Sequence, residues 1–147
     1  MNLKETLAQD LKTAMKDKDA VRKNTVQCVR AAILQVEKDQ KLVLDDDGVI
    51  DVIAKELKKR RDVLPDYEKS GREELIAELK QEINVLMGYL PSQLTHEELD
   101  KIVKERIVAL GVTSIKEMGK VMADVLPRVK GRADGKAVNE VARGYLN

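Results

Sequence analysis

The chain is predicted to be all-α. Apolar residues recur at helical spacing along nearly its whole length, and no segment shows sustained strand alternation. Helix-start signatures also stand in front of several of the apolar stripes. The first stripe is Leu3, Leu7, Leu11 and Ala14/Met15, with Asn2 as N-cap and Glu5 three residues on. Asp19 is placed to cap a second helix, striped by Val26, Val29, Ile33 and Val36. From Leu42 to Gly48 the pattern breaks, because three adjacent aspartates and a glycine favour a turn. A third helix carries Ile50, Ile53, Leu57 and Leu64, and Pro65 is expected to kink or end it. After Ser70-Gly71 a fourth runs through Leu75, Leu79, Ile83, Leu86 and Leu90 to Pro91.

The fifth helix opens on the capping box Thr95-x-x-Glu98 and carries Leu99, Val103, Ile107 and Leu110. Gly111 suits a left-handed helix end, with Val112 folding back on Ile107. Ser114 to Glu117 repeats the box for a sixth helix (Ile115, Met118, Met122, Val125/Leu126) that Pro127 ends. Asp134 is placed to cap the seventh, with Val138, Val141/Ala142 and Tyr145. The expected architecture is an N-terminal four-helix subdomain, residues 1–93, packed with a C-terminal three-helix subdomain, residues 94–147. Each stripe covers about a third of its helix, as a shared core requires. With 147 residues, such a chain buries roughly 70% of its extended surface and needs no disulfide or metal for stability.

Composition narrows the function. Phe and Trp are absent and only three tyrosines are present, so folds that read nucleic acid by stacking bases on aromatic side chains are excluded. One cysteine and one histidine exclude the usual zinc sites and disulfide frameworks. Neither a membrane-length apolar run nor a secretory h-region is present, and a cytoplasmic setting is the default expectation. A nucleophile needs an adjacent base. His96 falls in the first turn of a capped helix and reads as a surface residue, and Cys28 reads as a small core residue. Asp45-Asp46-Asp47 does not meet the calcium-loop spacing and reads as a solvated turn. No P-loop or dinucleotide-binding glycine pattern occurs. No catalytic residue, metal or cofactor is assigned, and the chain reads as a binder.

Two basic clusters remain. Lys55, Lys58, Lys59, Arg60 and Arg61 share the third helix. Glu56–Arg60 and Lys58–Asp62 are i,i+4 pairs there that neutralise part of the patch, so a solvated helix face competes with a binding surface. Arg128, Lys130, Arg132 and Lys136 are interleaved with Gly131 and Gly135 around a helix start, with Asp134 as the nearby opposite charge. Glycines allow close approach, and free N–H groups at a helix start favour anions. Asp134, as N-cap, would occupy one of those groups and repel a phosphate. A DNA-reading helix-turn-helix fits poorly, because its turn of three or four residues is replaced by the longer stretch Pro127 to Ala133.

Met118-Gly119-Lys120-Val121-Met122, then Lys130-Gly131-Arg132-Ala133-Asp134-Gly135-Lys136 and Val138-Asn139 with Val141, resemble the GatB/YqeY family. So do Tyr89-Leu90-Pro91-Ser92-Gln93-Leu94-Thr95 and the helix from Lys55 to Arg61. The YqeY resemblance spans essentially the whole chain. That to the tail of the GatB subunit of tRNA-dependent amidotransferase spans about the last third. The resemblance implies an all-α protein of two subdomains whose C-terminal part helps to hold tRNA. It also carries the family's association with carbon–nitrogen ligase activity using glutamine as amido donor, although the catalytic domains have no counterpart in this sequence. Lys130, Gly131 and Ala133 match the tail's loop, whereas Arg132 to Gly135 follows the free-standing YqeY form. The expected partners are tRNA, or an amidotransferase or other translation protein, with no membrane involved.

Overall fold

In the computed structural model, which describes residues 1–146, the described residues form seven α-helices and one 3₁₀ turn. The helices group into two compact units, Met1–Leu90 and Pro91–Asn147.

In the first unit, α1 (Leu3–Lys16) starts at Asn2, whose side chain accepts from the Glu5 N–H while Glu5 reaches back to the Asn2 N–H. Asp19 caps α2 (Ala20–Gln40) through the Arg22 N–H. Helix α3 (Asp46–Ser70) begins inside the aspartate run rather than after it. Asp45 caps the Gly48 N–H, and Asp46 accepts from the Leu3 N–H of α1 at 3.0 Å. Carboxylates in a first turn complement the positive end of the helix, which is why the run extends the helix instead of delaying it.

Pro65 does not end α3. The ring gives up one backbone hydrogen bond, but it is exposed, and the helix continues to Ser70 before Gly71 closes it at φ 69°. Helix α4 (Glu73–Met87) stops short of Leu90. The core is built from one face of each helix: Leu7 of α1, Val26, Val29 and Ile33 of α2, Val49, Ile53 and Leu57 of α3, and Leu79, Ile83 and Leu86 of α4. Each such side chain contributes roughly 1.5–3 kcal/mol by leaving water. Cys28 lies outside this face and is exposed, so it is not the core residue expected. The Tyr89 hydroxyl donates to Asp10, which ties the end of α4 to α1.

The second unit has its own core: Leu99, Val103 and Ile107 from α5 (His96–Leu110), Val121 and Val125 from α6 (Met118–Arg128), and Val138, Val141 and Ala142 from α7 (Gly135–Tyr145). Thr95 and Glu98 form the capping box. Gly111, at φ 68°, ends α5 with the Gly111 N–H on the Val108 carbonyl and the Val112 N–H on that of Ile107. That is the Schellman pattern, and Val112 is buried against the core as the pattern requires. Ser114 differs from expectation. Its hydroxyl accepts from the Lys116 N–H, one residue too early for a capping box, and a 3₁₀ turn over Ile115–Glu117 precedes α6. Pro127 sits within the last turn of α6, where the helix ends one residue later. Among the described residues, no helix is long and apolar enough to cross a membrane.

Candidate nucleic-acid interface

The basic loop joins α6 to α7. Val129 is buried and anchors it from below, and the N–H groups of Arg132 and Ala133 both reach the Val129 carbonyl, at 2.8 and 3.1 Å. The tight turn this makes passes through Gly131 at φ 74°, a conformation that costs an L-residue with a side chain about 1–2 kcal/mol. The segment before α5 holds the other side of the loop. The Gln93 side-chain amide donates to the Gly131 carbonyl at 2.8 Å, and the Leu94 N–H donates to the Arg132 carbonyl at 2.9 Å. Asp134 then caps α7 through the Ala137 N–H at 2.8 Å. Gly135 is the first residue of α7 and has no positive φ. A Cβ there would meet only Leu126, at an ordinary 3.6 Å, so the loop's shape rests on Gly131.

The cations are not equally available. Arg132 is half-buried; its Nε donates to the Ser92 carbonyl at 3.0 Å, and its charge helps to hold the Glu98 carboxyl below the usual range, behind the larger effect of hydrogen bonds from Thr95. Lys130 is half-buried. Arg128 is exposed on the last turn of α6, where its Nε donates to Asp124 at 3.2 Å. Lys136 is exposed on the first turn of α7. Asp124 is the organising carboxylate. Arg106 of α5 grips it through two bonds, Nε at 2.6 Å and Nη2 at 3.0 Å, and these bonds hold the Asp124 carboxyl below its ordinary range. The Asp124–Arg128 half of this network has i,i+4 spacing and is visible in the sequence. Arg106 is 18 residues away and gives no local signal.

The other cluster, on α3, is arranged differently. Both expected i,i+4 pairs form: Lys58 donates to Asp62 at 3.2 Å, and Arg60 reaches Glu56 at 3.3 Å. Glu56 is only 8% exposed and also accepts from Lys59 at 2.9 Å. The Arg60 side chain, 12% exposed, also lies 3.8 Å from Glu82 of α4, and its buried Nε makes no hydrogen bond. Arg61 is half-buried and donates to the Met87 sulfur. Lys55, by contrast, is exposed. His96 is exposed, and among the described residues no three or more His, Cys, Asp or Glu side chains are grouped so as to hold a metal.

With this geometry in place, comparison with known proteins is direct. The family described as YqeY-like protein matches residues 4–146. The chain belongs to the YqeY-like family. Among its curated relatives is "Altered inheritance of mitochondria protein 41, mitochondrial" of Pyrenophora tritici-repentis, 29% identical over 130 residues, which is 86% of this chain and 71% of that protein. The protein of the same name from Kluyveromyces lactis is 35% identical over 136 residues, 90% of this chain and 69% of the relative. These names overturn the expected cytoplasmic setting. A single cysteine suits any reducing compartment and does not separate the cytoplasm from the interior of an organelle.

Proposed function

We propose that this YqeY-like chain is a non-catalytic accessory protein that binds tRNA by backbone and shape, through the loop from Arg128 to Lys136. What supports the reading is that the loop's cations sit on a backbone fixed by bonds from Ser92 to Leu94 and by the left-handed turn at Gly131. A surface already held in place spends little binding free energy on ordering itself. Arg128, on the last turn of α6, and Lys136, on the first turn of α7, are the loop's two exposed cations, while Arg132 and Lys130 are half-buried. A chain without Phe or Trp suits phosphate and shape recognition better than base stacking.

The test is fluorescence anisotropy of labelled bulk tRNA at two salt concentrations, with duplex DNA as competitor. Saturable, salt-sensitive binding that DNA displaces poorly is the expected result. Lys136→Glu is expected to reduce the slope of log affinity against log salt by about 0.7 to 0.9, one phosphate contact, whereas Lys55→Glu on α3 leaves it unchanged. Absence of binding at low salt sinks the proposal.

One observation favours a second reading, a module that docks on an amidotransferase or another translation protein. Val108 is 74% exposed on α5, with Ala109 and Leu110 beside it also exposed. That reading calls for a protein partner whose affinity survives raised salt and falls on Val108→Asp.

A further inference from the structure

Apart from its basic loop, the second unit contains a feature of the opposite character. Helices α5 and α7 border an open cleft of about 300 Å³, lined by His96 and Asp100 of α5 and by Glu140, Val141, Gly144 and Tyr145 of α7. The spacing explains the convergence: His96 and Asp100 are four apart on one helix, as are Glu140 and Gly144 on the other, so each pair shares a face. No lysine or arginine lines the cleft.

Among the described residues, neither of its two carboxylates takes part in an ion pair. Asp100 accepts a hydrogen bond from the Tyr145 hydroxyl at 2.6 Å, which pushes the phenol's pKa up and keeps it a donor. The Glu140 side chain is exposed and, among the described residues, takes part in no hydrogen bond or ion pair. Beside these charges lie an apolar side chain, Val141, and the 39%-exposed ring of Tyr145. Over Gly144 the space is open, since a Cβ there would meet nothing within 4 Å.

We propose that this cleft binds an alkyl cation: a guanidinium or ammonium head on an aliphatic stem. The carboxylates of Asp100 and Glu140 take the head, with charge-assisted hydrogen bonds of the kind that suit a guanidinium fork. Val141 and the Tyr145 ring take the stem, the ring adding its quadrupole to the attraction. The His96 ring borders the same cleft. The same lining repels phosphate, so the cleft does not extend the RNA surface, and the proposal does not depend on the RNA reading. Two sources can present this chemistry, an arginine or lysine side chain on a partner polypeptide and a free polyamine.

The experiment is a ¹⁵N-resolved NMR titration of the full chain with Nα-acetyl-arginine amide, with spermidine, and with neutral Nα-acetyl-norleucine amide. Saturable shifts at Asp100, Gly144 and Tyr145 with a cation, and none with the norleucine analogue, are expected. A response to the arginine amide but not to spermidine identifies a polypeptide side chain as the source. The reverse identifies a polyamine, and a response to both supports the shared chemistry, with the tighter ligand naming the source. Glu140→Gln should weaken binding about tenfold, the scale of one charge-assisted hydrogen bond, and Gly144→Leu, which fills the open space, should abolish it. The spectra themselves report whether either variant has lost its fold. No saturable shift, an equal response to the norleucine amide, or full affinity in both folded variants overturns the proposal.

Discussion

The two basic segments have similar composition but are put to different use by their surroundings. On α3, Arg60 is drawn inward: its guanidinium lies between Glu56 of its own helix and Glu82 of α4, and its side chain is almost as buried as a core residue. In the α6–α7 loop, the carboxylate Asp124 stands behind the cations, already gripped by Arg106, and Arg128 extends from it toward solvent. One cluster joins two helices, and the other is displayed by a turn. Charge density along the chain does not distinguish them. What does is whether the opposite charges lie within the fold beneath the cations or in place of solvent around them.

The sharpest way to break this contrast is to remove one arginine from each. Arg60→Ala leaves the buried Glu56 with only the exposed Lys59 ammonium as partner, and the cost is expected at about 3 kcal/mol, the low end for breaking a buried pair from one side. Arg128→Ala removes a half-exposed pair and is expected to cost less than about 1 kcal/mol. Urea denaturation of the two variants measures the difference directly. Pairing Arg60→Met with Glu56→Leu should recover most of the loss, because the buried carboxylate goes with its guanidinium partner. Equal costs for the two single variants would mean that the α3 cluster is as solvated as the loop.

A second pair of substitutions sharpens the account of the loop itself. Gly131→Ala must hold a Cβ at φ 74° and is expected to destabilise by about 1–2 kcal/mol. Gly135→Ala places a better helix former in the first turn of α7 with room for it, and is expected to be neutral or to stabilise by up to about 1 kcal/mol. Thermal denaturation of both should therefore move Tm in opposite directions. If both fall together, the loop geometry rests on more than the turn at Gly131.

Much of the fold was legible because its signals are local. Asn2, Asp19, Thr95 and Asp134 all cap as their sequence contexts predict, and the Gly111–Val112 helix end follows from two adjacent residues. The misreadings share a cause. A helix end at Pro65 and a capping box at Ser114 both follow from what those residue types usually do. One lost hydrogen bond in an exposed turn does not stop a helix packed along its neighbours, and a capping serine can serve a 3₁₀ turn just as well. Of the candidate site, the sequence shows the cations and the Gly131 turn but not their partners. Arg106, Gln93 and Ser92 reach the loop or its supporting carboxylate from 18 to 40 positions away, and no periodicity encodes such pairs.

The smallest expected effect separates the clusters by the sign of a titration. Hydrogen bonds from Arg106 hold Asp124 below its ordinary pKa, so its contribution is fully present above the unfolded value of about 4 and is lost as pH falls through the depressed folded value. Burial pushes Glu82 the other way. Its folded form keeps its proton to higher pH than the unfolded chain does, so its contribution is present at low pH and is lost as pH rises through the raised value. Unfolding midpoints in urea between pH 3 and 7 should therefore lose part of their acid-side fall in Asp124→Asn, whereas Glu82→Gln should make the same fall steeper. Changes of the same sign in both variants would mean that the carboxylates beneath the two clusters experience similar surroundings, and the distinction between an inward-drawn and a displayed cluster would fail at its electrostatic root.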